Sequence, residues 1–313
     1  MPLSKNKGKD QAELKDILPI VVRSHVAKIM EKAIMAKVAA EAPHLLHTRI
    51  YQTGFKEGTS TSAHICRLMT QIHPGQGKKR RKYAALIDLQ KAYDTVNREK
   101  LWRILSSRCQ NETDQTLAML IIKIYQQSQV VNWKHSFSAY IGVVQGGVLS
   151  PMLFNVYLEE ALGTTQKLRE MVNRGDLLAF ADDMLILTNS KAEMQQAIQE
   201  LDGLNGVWNL RLNKAKSQVL TDDNIAEIAG IPCANHVKYL GVPVHLDHKE
   251  QRDKCVASIK RNLGHLKWKL RKVDLDIKET LTCVLARSIL VYTGTPMVAA
   301  GLWKREDIDR LEA

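Results

Sequence analysis

The chain has 313 residues, 45% of them apolar and 25% charged, an ordinary globular composition that excludes a disordered or fibrous protein. Forty-five Lys and Arg against 33 Asp and Glu leave a net charge of +12, an excess that suits a polyanionic partner, nucleic acid before membrane. Five scattered cysteines (66, 109, 233, 255 and 283) form no disulfide framework and fit a reducing compartment.

At about 150 residues per domain the length allows two domains or one large one. The basic start, Met1-Pro2-Leu3-Ser4-Lys5, has no apolar run behind it, so no secretory signal is expected. Apolar stretches such as 117–122 meet charges long before the roughly 20 residues of a membrane span, so no membrane partner is expected. Val26, Ile29, Met30, Ala33, Ile34 and Val38 recur at helical spacing behind Ser24, a suitable N-cap. Residues 51–62, rich in Gly, Ser and Thr, read as a loop into a second helix. The run Lys78-Lys79-Arg80-Arg81-Lys82 reads as a solvated loop or a phosphate contact.

Residues 83–89 read as a buried strand ending near Asp88, with a helix following from about Tyr93. Ser150-Pro151 opens a helix to Leu162, Ser as N-cap and Pro at the first helical position. Two apolar runs, 177–181 and 184–187, flank Asp182-Asp183 and predict a hairpin with both acids at its turn. From Lys249 the composition shifts: residues 249–272 hold nine basic residues and two acids, so seven of the twelve net charges. Val256, Ile259, Leu263, Leu266 and Leu270 form an apolar stripe there, leaving Lys260, Arg261, Lys267, Lys269 and Arg271 around the other faces. A second helix is expected from Asp276, with Glu279 completing a capping box and Gly294 just past its end, and a third near Lys304.

Aspartates at a tight turn have a plain structural use, because Asp favours turns. Acids held between buried strands, however, suffer desolvation and mutual repulsion unless a cation offsets them. If the strand ending at Asp88 neighbours the hairpin, Asp88 and Asp182 converge on an oxygen-rich site suited to Mg²⁺. Two such ions can clamp the attacking and leaving oxygens of an in-line phosphoryl transfer.

Ala179-Phe180-Ala181-Asp182-Asp183 resembles the catalytic hairpin of reverse transcriptases, in the form common among non-LTR (LINE-type) retrotransposons. Other segments follow in the family's order. Asp88-Leu89-Gln90-Lys91-Ala92-Tyr93-Asp94 is similar to the first palm motif, and Gly142 to Pro151 to the Gln-Gly motif. Leu212-Asn213-Lys214-Ala215-Lys216-Ser217 and Val237-Lys238-Tyr239-Leu240-Gly241 resemble the later lysine motif and the primer grip. Gln52-Thr53-Gly54-Phe55, Ser60-Thr61 and residues 28–32 match the fingers.

The resemblance implies roles. Asp88 and Asp182 would be metal ligands for two Mg²⁺, with Asp183 supporting them and Lys216 protonating departing pyrophosphate. Leu89, Tyr93, Gln145 and Gly146 would line the nucleotide, Tyr93 excluding a ribose 2′-OH. Phe180, Tyr239, Leu240, Gly241 and the helix lysines Lys260 and Lys267 would contact primer and template. The fold implied is α+β, a right-hand polymerase, with fingers and palm over 1–248 and a partial helical thumb over 249–313. Its partners would be an RNA template, a DNA primer and dNTPs, inside the cell, as a ribonucleoprotein of nucleus or cytoplasm.

There are departures. Leu18-Pro19-Ile20 stands where the family usually has Arg-Pro-Ile, and Thr59 where an arginine is common, so nucleotide affinity would rest on Arg23, Lys5 or Lys7. Both ends look short for the family. A catalytically silent, RNA-binding derivative or decayed element fragment is therefore the alternative. A group II intron maturase is a third reading, against which Phe180 counts. Cys233-x-x-His236 and His245-x-x-His248 have zinc-like spacing but bracket the primer-grip segment, where the family binds no zinc.

Overall fold

A computed structural model describes residues 3–4, 17–18, 24–49, 51–74, 80–127, 129–132, 135–138, 140–271, 273, 275–304 and 307. In chain order it has β1 (Leu3–Ser4), β2 (Ile17–Leu18), α1 (His25–Glu41), α2 (Thr61–Ile72), β3 (Tyr83–Ile87), α3 (Arg98–Ser107) and α4 (Glu112–Gln126). Then follow β4 (Gln129–Asn132), β5 (His135–Ser138), α5 (Ser150–Gly163), α6 (Gln166–Arg174), β6 (Leu177–Phe180), β7 (Asp183–Thr188) and α7 (Lys191–Trp208). The rest is β8 (Gln218–Leu220), β9 (Glu227–Ile228), β10 (Ile231–Ala234), β11 (His236–Tyr239), β12 (Val242–His245), α8 (His248–Leu270) and α9 (Leu275–Ala299).

Two compact units result. One comprises residues 1–55, 89–170 and 200–212, the other 56–88, 171–199 and 213–313. The expected boundary at 248 is not where the chain divides. Helices α8 and α9 belong to the second unit because one apolar cluster joins Ile65, Leu68 and Leu185 to Val244, Ile259, Met297 and Trp303. Burial of that continuous surface outweighs the change in composition at Lys249.

The second unit holds a six-stranded sheet in the order β6-β7-β3-β8-β10-β9. Strand β3 lies between β7 and β8, antiparallel to both, which is why residues 83–87 are almost uniformly apolar and buried. In the first unit, Asn97 caps α3 by accepting the Lys100 N–H at 3.0 Å. That cap places the helix start at Arg98, five residues later than the apolar pattern around Tyr93 suggested.

Helix α1 forms as expected, with Ser24 Oγ accepting from Ala27 N at 3.1 Å, but Val26, Ile29 and Met30 face outward while Val38 is buried. Helix α9 runs straight through Gly294. A side chain at 294 would press on the Trp303 ring at 3.3 Å, so the glycine serves close packing and not a helix end. Within α9, the segment Thr280–Ala299 is long and apolar enough by length and composition to cross a membrane, unlike the shorter stretches such as 117–122. Its far end is packed, Met297 being fully buried in the apolar cluster. Trp268 is 60% exposed with the Arg271 guanidinium 4.9 Å from its ring centroid.

Candidate active site

Strand register builds the site. In the β6–β7 hairpin Phe180 pairs with Asp183, leaving the two-residue turn Ala181–Asp182. On the other side of β7, Ile87 pairs with Met184, so the next residue, Asp88, falls level with Asp183. Three carboxylates therefore meet at one end of the sheet. Asp183 is the first residue of β7 and only Asp182 belongs to the turn, a refinement of the expectation that both do. Ala181 carries the reversal at φ 56°, a left-handed conformation costing a non-glycine residue about 1–2 kcal/mol.

Electrostatics oppose this convergence. Partial removal of water raises the Asp182 carboxyl above the ordinary range, and the charge of Asp88 adds to the rise. Asp183 is exposed at the turn end of the hairpin, yet surrounding protein displaces enough water, and Asp182 and Asp88 add enough repulsion, to push it up to about 6. A divalent cation is the charge that would relieve all three. Among the described residues no three His, Cys, Asp or Glu side chains converge tightly enough to hold a metal ion alone. Mg²⁺ typically takes one or two carboxylates and completes its shell with water and substrate phosphates. The donors are hard oxygens and fit that ion.

The loop after residue 212 holds Asp88. Asn213 Nδ2 donates to Asp88 Oδ2 at 2.7 Å, Asn213 N donates to Asp88 O at 2.8 Å, and Asp88 N donates to Ser217 Oγ at 3.0 Å. Asn213 and Ser217 are the site residues that sequence reading missed. Both lie in the motif that was picked out for Lys216, so the signal was present. Lys216 itself is exposed on the turn between them.

Behind the hairpin, His64 of α2 stands edge-on to Phe180 at 5.8 Å and shares a 3.3 Å hydrogen bond with the Tyr239 hydroxyl. Burial, with the Arg67 charge adding, lowers His64 to about 4. Tyr239, expected as a primer contact, is 4% exposed and part of the apolar cluster. The β11–β12 turn instead presents Leu240 and Gly241, both with positive φ (44° and 88°), as a two-residue turn of the I′ kind requires. Tyr292 of α9 donates its hydroxyl to Leu240 O at 2.6 Å. Phe180 is half-buried, and Lys260 and Lys267 are exposed on α8.

The remaining expected residues lie in the first unit. Leu89 is buried, forming a bridge with Leu212, and so could offer a ligand only its backbone. Tyr93 stacks on Phe154, centroids 4.9 Å apart and planes 17° from parallel, which fixes its ring as a flat wall. Gln145 points its amide at Asp94 from 3.4 Å, and Gly146 is exposed with φ 97°. Thr59, in the second unit, is turned onto Lys56 O at 2.7 Å. Arg23, Lys5, Lys7, Pro19 and Ile20 lie outside the described residues, as do Lys78 and Lys79. Of the same basic run, Arg80 pairs with Asp222 at 2.7 Å and Arg81 with Asp176 at 2.5 Å, so both are engaged by protein carboxylates.

The zinc-like spacing organises differently. His236 and His245 face each other across β11–β12 with stacked rings, and His245 Nδ1 accepts the Asp247 N–H at 3.1 Å.

Sheet order, register and the acid-bearing turn together define a polymerase palm within an α+β chain. Comparison with known proteins agrees. The chain belongs to the reverse transcriptase (RNA-dependent DNA polymerase) family, whose model matches residues 5–244. It is similar to a probable RNA-directed DNA polymerase from transposon X-element of Drosophila melanogaster, 25% identical over 285 residues, covering 82% of this chain and 29% of that protein. It is also similar to the group II intron-encoded protein LtrA of Lactococcus lactis subsp. cremoris, 20% identical, covering 83% of this chain and 41% of that one. The chain thus spans less than half the length of these relatives. Among solved structures, telomerase from Candida albicans in complex with a telomeric RNA fragment is 13% identical, covering 93% of this chain and 50% of that one, with a TM-score of 0.49.

Proposed function

We propose that this chain catalyses RNA-templated DNA synthesis, the primer 3′-OH attacking the α-phosphate of a dNTP with pyrophosphate leaving. The observation that carries the proposal is the register-set meeting of Asp88, Asp182 and Asp183 in a member of the reverse transcriptase family. Asp88 and Asp182 would hold two Mg²⁺. Bound there, the ions supply the positive charge that lowers carboxylate repulsion and polarises the reacting oxygens.

The chain's own residues do the rest. Asn213 keeps one Asp88 oxygen occupied and the carboxylate in a single orientation. Asp183 adds negative charge beside the pair. Tyr93, held flat by Phe154, would bar a 2′-OH, while Gln145 and Gly146 would lie along the nucleotide. Lys216, exposed and cationic, would give its proton to pyrophosphate. The lysines of α8 would follow duplex phosphates without reading sequence, which makes binding salt-sensitive.

Primer extension on an RNA template with Mg²⁺ tests the reading, Asp182→Ala serving as control. Wild-type extension above that control is expected. Its absence overturns the activity, and salt-dependent RNA binding that survives Asp88→Ala would then mark a silent RNA-binding derivative. Localisation as a nuclear or cytoplasmic ribonucleoprotein is part of the same proposal, read out by co-purification with RNA.

A further inference from the structure

Helix α1 carries one fully buried acid. Glu31 is 0% exposed, and its Oε2 accepts the Val148 N–H and, at 3.3 Å, the Leu149 N–H. Those amides lead into α5, whose N-cap is Leu149, a residue with no side-chain acceptor. The expected cap, Ser150, is the first helical residue. Its hydroxyl turns back to Val144 O at 2.6 Å and receives the Tyr125 hydroxyl at 2.7 Å. Glu31 therefore supplies, from 118 positions away, both the acceptor of a helix cap and a negative charge at the positive end of α5.

The opposite end of the same loop is equally fixed. Arg98, 7% exposed, donates Nε–H to Gly142 O at 2.7 Å and Nη1–H to Tyr125 O at 3.2 Å. Gly142 N donates to Val96 O at 2.8 Å and Val143 N to Tyr93 O at 2.7 Å. Between the two anchors stand Gln145, Gly146 and Gly147. A glycine-bearing segment is intrinsically loose, and these anchors add to the Gly147 N–H to Val144 O bond (3.0 Å) in ordering it.

We propose that Glu31 is a positioning residue for nucleotide binding. Its buried carboxylate holds the exit of the Gln145-Gly146-Gly147 turn so that the Gln145 amide and Gly146 backbone meet the incoming dNTP in one conformation. This rests on the polymerase reading above. Loss of the clamp acts on this turn, so it raises the dNTP KM more than it lowers kcat.

Steady-state incorporation of dTTP on poly(rA)·oligo(dT) by the 313-residue chain tests this, with Glu31→Gln and Glu31→Asp as variants. Gln keeps one acceptor oxygen but removes the charge that strengthens both bonds to Oε2, and Asp falls short by a methylene. Each variant should raise the KM for dTTP about tenfold with kcat changed less than about threefold. Val38→Ala, buried two turns along the same helix, should lower thermal stability without moving KM. An unchanged KM in both Glu31 variants, or a fall in kcat and melting temperature alone, overturns the proposal. Amide hydrogen exchange keeps it falsifiable apart from catalysis: Glu31→Gln should speed exchange at Val148 and Leu149 about tenfold or more, locally. Inactive wild type with that local loss would fail the polymerase reading but keep the clamp. Unchanged exchange would remove the clamp itself.

Discussion

Two hairpins of the same unit use the same backbone device for opposite ends. In β11–β12 the turn is Leu240–Gly241, Tyr239 is buried against His64, and Tyr292 ties down the Leu240 carbonyl. Leu240 carries a positive φ of its own there, but no like charges are brought together. In β6–β7 the turn is Ala181–Asp182, where Ala181 likewise takes a positive φ, and three acids are brought together against their repulsion. One hairpin is shaped by what stabilises it, the other by what it must present. Strain of this sort persists where surrounding structure over-determines it, here the flanking strands β6, β7 and β3.

The largest way to break the contrast is at Asp182. Asp182→Ala should lower primer extension about a thousandfold or more while the protein stays folded, read as single-turnover rate beside circular dichroism. Unfolding with loss of activity would make the acid structural and erase the distinction.

Gly241→Val should cost about 2 kcal/mol in urea unfolding, because φ 88° disfavours a β-branched residue. A cost near zero would mean that the β11–β12 turn tolerates strain as readily as its counterpart.

Asp183 sharpens the comparison through pH. Its folded carboxyl sits at about 6, above the ordinary 3.8, so between those values the native state binds more protons than the unfolded one. Stability from this group is therefore lost as pH rises through that window. Without divalent ions, the melting temperature of Asp183→Asn minus that of wild type should grow from pH 4 to about 6.5 and then level. His64, held near 4, has the opposite sign, losing stability as pH falls below 6.5, but it is common to both proteins and cancels. A difference that is flat with pH would sink this account.

Smaller effects follow. Tyr292→Phe removes one hydrogen bond to Leu240 and should cost about 1 kcal/mol. Ala181→Gly relieves a positive φ against a gain in unfolded-state freedom, so it should be neutral to stabilising within about 0.5 kcal/mol.

Much of the palm was legible because it rests on short-range pattern. Apolar runs bracketing Asp182 and ending at Asp88 dictate buried strands, and buried strands leave few registers. The supports were not legible. Asn213 reaches Asp88 across 125 positions and Glu31 reaches Leu149 across 118, and no local pattern encodes a partner that far away. The burial of Tyr239 was not legible because a four-residue strand alternates too briefly to show which face turns inward.

Gly142 carries a consequence for how this chain can vary. A methyl group there would sit 2.7 Å from the Asp94 carbonyl oxygen, and φ 79° already disfavours any side chain. Gly206, on α7, has nothing within 4 Å of the same atom. In a saturation library selected for folding, position 142 should return glycine alone, while position 206 should accept most of the alphabet and favour alanine. A glycine count treats the two positions as equal, but in sequence space one is a wall and the other open ground.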